Sequence, residues 1–242
     1  MAPCSILFAQ QARLIQSGTI EFEKRVNMYA VFKKAGTSEK EYDYYKNSHP
    51  QFFTSKGNLL FSNNKTLYIP KVMGQPELIN NVTPFPFAGQ MNLTYTDLSM
   101  KSSITQKKIF EETFLVKDSV RKIKWKITDE FREVAGYTCR RANALILDSI
   151  YVVAFYTNEI HFSGGPESFA GLPGMILEVA LPHDNVTWRA TKITDEAIPP
   201  QSIVSPQKGK VINDQQLKEW VKSSIKGLNL RLRDLLIKSL LI

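Results

Sequence analysis

Three histidines, two cysteines and a scatter of carboxylates are the groups in this 242-residue chain with the means to do chemistry. His49, His161 and His183 lie in unrelated segments, with no H-x-x-x-H or H-E-x-x-H spacing. A zinc site needs three or four nitrogen, sulfur or carboxylate ligands in tetrahedral array. His161 with Glu167, or His183 with Asp184, supplies half of one. Ser163 precedes Gly164-Gly165 but lacks the G-x-S-x-G elbow and the helix that follows it. The same glycines lead into a strand and carry no Gly-Lys-Ser/Thr, so they are not a phosphate loop. Cys139 interrupts nothing in an alternating strand pattern, where a thiol is ordinary core. The residues assign no catalytic set, no metal set and no cofactor.

What remains is a shaped loop. Gly164, Gly165, Pro166, Glu167, Phe169, Gly171, Leu172, Pro173 and Gly174 set four glycines and two prolines within eleven positions, then run into the apolar stretch Met175 to Leu181. Glycine admits positive φ or close backbone approach, and proline fixes φ. The loop is expected to hold one shape, to deliver the chain into a buried strand, and to be the ligand- or partner-binding loop. Glu167 is its ligand-facing carboxylate. Glu178, in the strand, is expected to pair with Arg189 across the turn Pro182–Asn185, which is structural. Trp125, Tyr137, Phe169 and Trp188 read as core unless the sheet is open, in which case they line an apolar concavity.

The elements that position this loop are strands. Ile20, Phe22, Val26 and Met28 alternate with Glu21, Glu23 and Arg25, and Lys24 breaks the apolar side, which suggests an edge or an open surface. A short helix is expected over Glu39–Lys46, ending before His49-Pro50. Asn63-Asn64 marks a hairpin between Asn58–Ser62 and Thr66–Ile69. Lys71–Gln90 reads as a long exposed loop whose Phe85-Pro86-Phe87 packs back. Strands follow over Lys107–Lys117, Val120–Ile127, Val134–Ala142, Ile150–Thr157, Met175–Leu181 and Val186–Ile193, with a turn at Asp129–Glu133. No helices alternate with them as a parallel sheet requires. Leu217, Val221, Ile225, Leu228, Leu232, Leu235 and Leu236 form a stripe of a C-terminal amphipathic helix over 213–240, with Gly227 a point of breakage.

Composition narrows the class. The chain carries a net charge of +8 and a pI near 9.3. The basic residues are spread out and no nucleic-acid motif appears, so nucleic acid is not an expected partner. No apolar run is long enough to span a membrane. Pro3–Ala9 is apolar and ends in a small residue, so residues 1–16 read as a signal-peptide remnant or a disordered N-terminus. Residues 17–242 read as a single β domain.

Two stretches are more specific. Ile123-Lys-Trp-Lys-Ile-Thr-Asp-Glu130 with Val134-Ala-Gly-Tyr-Thr-Cys-Arg-Arg-Ala142 resembles the W-x-I-T-x-E and G-Y-x-C-x-K-A motifs of the GLPGLI family. Gly171-Leu-Pro-Gly-Met-Ile-Leu-Glu178, preceded by Gly165-Pro166 and Phe169, resembles that family's naming motif, with Met175 for leucine. Trp125, Gly136, Tyr137, Cys139, Glu178 and Arg189 are its structural residues by this likeness. The resemblance implies an envelope protein of Bacteroidota, in the periplasm or at the outer-membrane periphery, with no established activity. The expected fold is a curved antiparallel sheet, a half-barrel or open sandwich like that of lipoprotein carriers, with a C-terminal amphipathic helix. The expected function is a non-enzymatic binding or accessory module for an apolar ligand or an envelope protein. The alternatives are a metal-dependent hydrolase using His161 and Glu167, and a structural subunit of an outer-membrane assembly.

Overall fold

A computed structural model describes residues 15–71, 78–79, 83–84 and 86–242; the N-terminal stretch read as a signal remnant lies outside them, apart from its last two positions. The strands are β1 (Gly18–Asn27), β2 (Phe52–Ser62), β3 (Lys65–Lys71), β4 (Leu78–Ile79), β5 (Thr83–Pro84), β6 (Leu93–Asp97), β7 (Ser102–Ile109), β8 (Glu112–Ser119), β9 (Lys126–Val134), β10 (Tyr137–Ile146), β11 (Ile150–Thr157), β12 (Met175–Leu181), β13 (Val186–Asp195) and β14 (Lys210–Ile212). The helices are α1 (Met28–Ala35), α2 (Glu39–Ser48), α3 (Asp214–Ser224) and α4 (Leu230–Leu241). β4 and β5 form a separate ribbon. The other strands make one 12-stranded sheet in the order β14-β8-β7-β6-β3-β2-β1-β13-β12-β11-β10-β9.

This order forces the sheet to curl. β8 and β9 are consecutive in the chain yet stand ten strand positions apart. Laid flat, they would be about 48 Å from each other. The link from Ser119 to Lys126 reaches at most about 25 Å when fully extended. The sheet therefore bends into an open bowl, with the strap Val120–Trp125 crossing from one rim to the other. Lysines alternating with apolar residues suggest a strand here, but Val120–Trp125 forms no strand with the described residues. β9 starts at Lys126, and Asp129–Glu133 is its interior rather than a turn. The reversal comes at Ala135 and Gly136, both at positive φ.

Three other local expectations change. Lys107–Lys117 is a hairpin, β7 to β8, reversing at Phe110 (φ 54°). Met28 does not extend β1: Asn27 caps α1 by accepting from the Ala30 N–H. Lys24 lies in a central strand, since β1 pairs with both β2 and β13. The expected helix after Ser38 is present as α2, closed by a capping box between Ser38 and Glu41. The Asn63-Asn64 hairpin forms with both residues at positive φ. In the loop before β6, Phe87 packs back as expected, and Ala88, Gln90 and Asn92 are buried as well rather than exposed. The amphipathic C-terminal segment is two helices, α3 and α4. The break falls around Gly227, and Asn229 caps α4 by accepting from the Leu232 N–H. All ladder pairs of the sheet are antiparallel except β14 with β8.

The bowl's inner face has two halves. On β1, β2, β11, β12 and β13 it is apolar: Phe22, Leu59, Ala154, Val179 and Trp188 are all nearly inaccessible. On β3, β6 and β7 it is hydroxyl-rich, with Thr66, Tyr68, Thr94, Thr96, Thr105 and Lys107 buried. Facing pairs set this row: Tyr68 opposite Thr94, and Thr94 opposite Thr105. No helix among the described residues is long and apolar enough to cross a membrane.

Candidate functional site

The glycine-proline loop between β11 and β12 dips into the bowl. Of Gly164–Gly174, only Gly171 and Pro173 are exposed, and Glu167 is 6% accessible. Backbone bonds tie it down: the Ile176 N–H donates to the Gly164 carbonyl (2.8 Å) and the Met175 N–H to Ile160 (3.2 Å). From the strap, Trp125 Nε1 donates to the Ala170 carbonyl at 2.9 Å. Gly171 adopts φ +98°, where its N–H meets Ser163 Oγ. Gly174 has an ordinary φ and is glycine for another reason: a Cβ there would strike the Thr157 backbone carbonyl.

Glu167 is the loop's anchor. It sits at φ 52°, in the left-handed region, with its carboxylate aimed at the sheet. Asn92 Nδ2 donates to Oε2 (3.0 Å) and Trp188 Nε1 to Oε1 (3.3 Å), while Lys24 Nζ lies 3.5 Å from Oε1. The Lys24 ammonium also sits 4.8 Å from the Trp188 ring centre. Burial lowers the Lys24 pKa, against which the Glu167 charge and hydrogen bond act. Burial, then the Glu167 charge, raises the Tyr68 phenol well above its usual value. The carboxylate expected to face a ligand is thus fully engaged, and the loop's inner side is packed rather than open.

A second buried cation lies beyond. Lys107 Nζ donates to the Leu240 carbonyl at 3.2 Å. Arg121 Nη2 donates to Leu241 O at 2.6 Å, and Ser168 Oγ to Ile242 O at 3.2 Å. Three segments, β7, the strap and the loop, thereby converge on the last turn of α4. Burial is the main reason that the Lys107 pKa falls to about 8. The Glu167 charge opposes the fall, Arg121 adds to it, Asp214 opposes it, and Lys24 adds to it. An unfolded lysine keeps its proton to about pH 10.4, so between about pH 8 and that value the folded chain binds fewer protons than the unfolded one. Relative to a Lys107→Met variant, stability should rise with pH across that window, by up to about 3 kcal/mol, and stay level below it. Urea unfolding of both proteins from pH 7 to 10.5 measures this; parallel pH profiles would contradict it.

The other sequence-marked residues fall outside this chamber. Glu178 pairs with Arg132 (2.8 Å) and, across the β12–β13 ladder, with Arg189 (3.6 Å). Burial raises its pKa and the two arginines oppose the rise. Cys139 is buried and free, and burial pushes its thiol up to about 12, away from the thiolate that nucleophilic chemistry needs. Tyr137 and Gly136 belong to the β9–β10 turn region. His161 is exposed while Glu167 points inward, so the structure does not join them. Among the described residues no group of three or more His, Cys, Asp or Glu is placed to hold a metal ion. Lys24, Asn92, Lys107 and Arg121 are the site residues that sequence reading missed. Lys24 alone gave a signal, as a charge on the apolar side of an alternating strand.

Comparison with known proteins bears on the same region. The family model described as a protein of unknown function (Porph_ging) matches residues 143–178, from the middle of β10 through the loop into β12. No curated protein matches the chain. Among solved structures, PNGF-II in its P21 crystal form is similar with a TM-score of 0.50 at 15% identity, over 81% of this chain and 32% of that one. The C2 form gives 0.52 at 15% identity, over 93% and 33%. An uncharacterized conserved protein from Thermus thermophilus gives 0.40 at 3% identity, over 83% and 91%. At such identities the PNGF-II likeness shows the fold alone. The chain spans about a third of the length of the PNGF-II chains.

Proposed function

We propose that this chain is a non-enzymatic binding module of the cell envelope, of the GLPGLI kind that its Gly171–Glu178 motif resembles, exported to the periplasm or the outer-membrane periphery. It holds a ligand or partner through the inner face of the bowl and the Gly164–Gly174 loop that dips into it. One observation carries this reading: the inner face is split into an apolar half and a hydroxyl-rich half, with a lysine buried in each, Lys24 on β1 and Lys107 on β7. A core serving stability alone gains nothing from enclosed lysines, because desolvating them is costly. A surface built to receive a molecule with apolar and polar parts needs both halves.

The test is solvent extraction and mass spectrometry of the chain purified from a periplasm. A co-purifying amphiphile near one per protein is the expected result. An extract with no bound molecule would overturn the ligand-binding reading, and stoichiometric zinc lost on His161→Ala would replace it with the metal-dependent hydrolase.

A further inference from the structure

Four carboxylates are buried among the described residues: Asp97, Glu167, Glu178 and Asp184. Asp97 accepts from the Met100 N–H at 2.9 Å, Glu167 from Asn92 and Trp188, and Glu178 from Arg132. Asp184, in the turn between β12 and β13, is 2% accessible, and its Oδ1 is enclosed with no hydrogen-bond partner. The Lys34 ammonium lies 3.9 Å from that oxygen, close enough to feel its charge and too far to donate to it. A buried acceptor without a donor is rare, because its lost hydration is not replaced. Asp184 and Lys34 line an open groove of about 340 Å³ between α1, this turn and α4. Leu230, Arg231, Leu235 and the Asp234–Lys238 ion pair (2.8 Å) line it as well. Leu230 is left 78% exposed. The stem of Arg231 lies against Gly36, where a Cβ would come within 3.1 Å of its Cδ. Among the described residues the Arg231 guanidinium has no ion pair or hydrogen bond.

We propose that this groove binds a small apolar α-amino acid, with its ammonium on Asp184, its carboxylate on Arg231 and its side chain over Leu230 and Leu235. None of Gly164–Gly174 lines the groove, so the site is separate from the loop of the binding-module reading and goes beyond it. With Asp234 and Lys238 neutralising each other, the charges left are Asp184, Lys34 and Arg231. A simple cation meets two positive side chains against one carboxylate. A simple anion brings no donor for Asp184. A zwitterion answers both, through charge-assisted bonds that are roughly twice as strong as neutral ones. The planar fork of Arg231 matches a carboxylate with two parallel bonds. Lys34, its side chain 41% exposed on a flexible stem, turns from Asp184 toward the ligand's carboxylate with no movement of the backbone. A volume near 340 Å³ is at the small end for ligand sites and suits a molecule of this size. The groove's surface is more apolar than polar, which favours an amino acid with an apolar side chain.

Isothermal titration calorimetry of the full chain with leucine, leucinamide and isocaproate tests this; the second lacks the carboxylate and the third the ammonium. Leucine should bind at least about tenfold more tightly than either. Arg231→Gln should lower leucine affinity to that of leucinamide and leave leucinamide binding unchanged. Asp184→Asn, which keeps the side chain's shape, should lower leucine affinity to that of isocaproate. Arg231 is exposed, so its change tests the site even where Asp184→Asn fails to fold. No leucine binding by the native chain would overturn the proposal, as would equal affinities for the three compounds, or leucine binding unchanged in Arg231→Gln. A co-purifying amphiphile with no leucine binding would sink this inference and leave the binding module standing.

Discussion

Replacing Glu167 with alanine should destabilise the fold by about 3–5 kcal/mol, the usual cost of stranding a buried charge. Lys24, 5% accessible, loses the carboxylate beside it, and the Asn92 and Trp188 donors lose their acceptor together. These losses share one group and do not add. Two further variants separate the charge from the backbone. Glu167→Gly relieves the left-handed conformation at φ 52° and should be about 1 kcal/mol less harmful than the alanine change. Lys24→Met combined with Glu167→Leu removes both charges and should recover a large part of the loss. Chemical denaturation of the four proteins gives the numbers. A Glu167→Ala protein within about 1 kcal/mol of the native one would mean that the loop is not held from its inner side.

Gly174→Ala should cost about 3 kcal/mol, at the upper end of what overpacking does, lowering Tm by roughly 6–12 °C in a chain of this size. A methyl group there meets the Thr157 carbonyl, and that carbonyl belongs to the β11 strand with which Met175 pairs. Neither strand end can retreat without losing the rung. Gly171→Ala should cost only about 1 kcal/mol. It forces a side chain into φ +98°, but the nearest neighbour is the Trp125 ring at 3.6 Å, with open space otherwise. Both glycines lie in the same short motif, yet one is kept for steric clearance and the other for its dihedral angle. Thermal melts of the two variants decide the ranking; equal losses would show that a shared conformational demand governs both.

Much of the architecture was readable before any coordinates. Period-two alternation located β1 and β13, which have one buried and one more exposed face, and continuous apolar runs located β11 and β12, which are buried on nearly both faces, all to within a residue or two. The asparagine pair at the β2–β3 turn is local chemistry, settled within four residues. Alternation failed at Val120–Trp125. A strap lying across a bowl also has an inner and an outer side, so its side chains alternate without any ladder to join. It failed again at Asp129–Glu133, where an edge strand exposes both faces and its charges look like a turn.

The chain's residues, taken by themselves, determined that it would be an antiparallel sheet with an amphipathic C-terminal segment and a glycine-proline lead-in to β12, since those properties depend on side-chain periodicity and backbone preference over a few positions. The curvature was expected from the family resemblance and follows from the strand order. Only the tertiary structure decided that Lys24, Asn92, Glu167 and Trp188 meet, and that Lys107, Arg121 and Ser168 grip one helix end. Glu167 and Lys24 are 143 positions apart, and Lys107 and Leu240 are 133 apart. Nothing local to a lysine records whether its strand will be central or peripheral. That is fixed by the strand order, and the strand order is fixed by the burial of the whole apolar half at once.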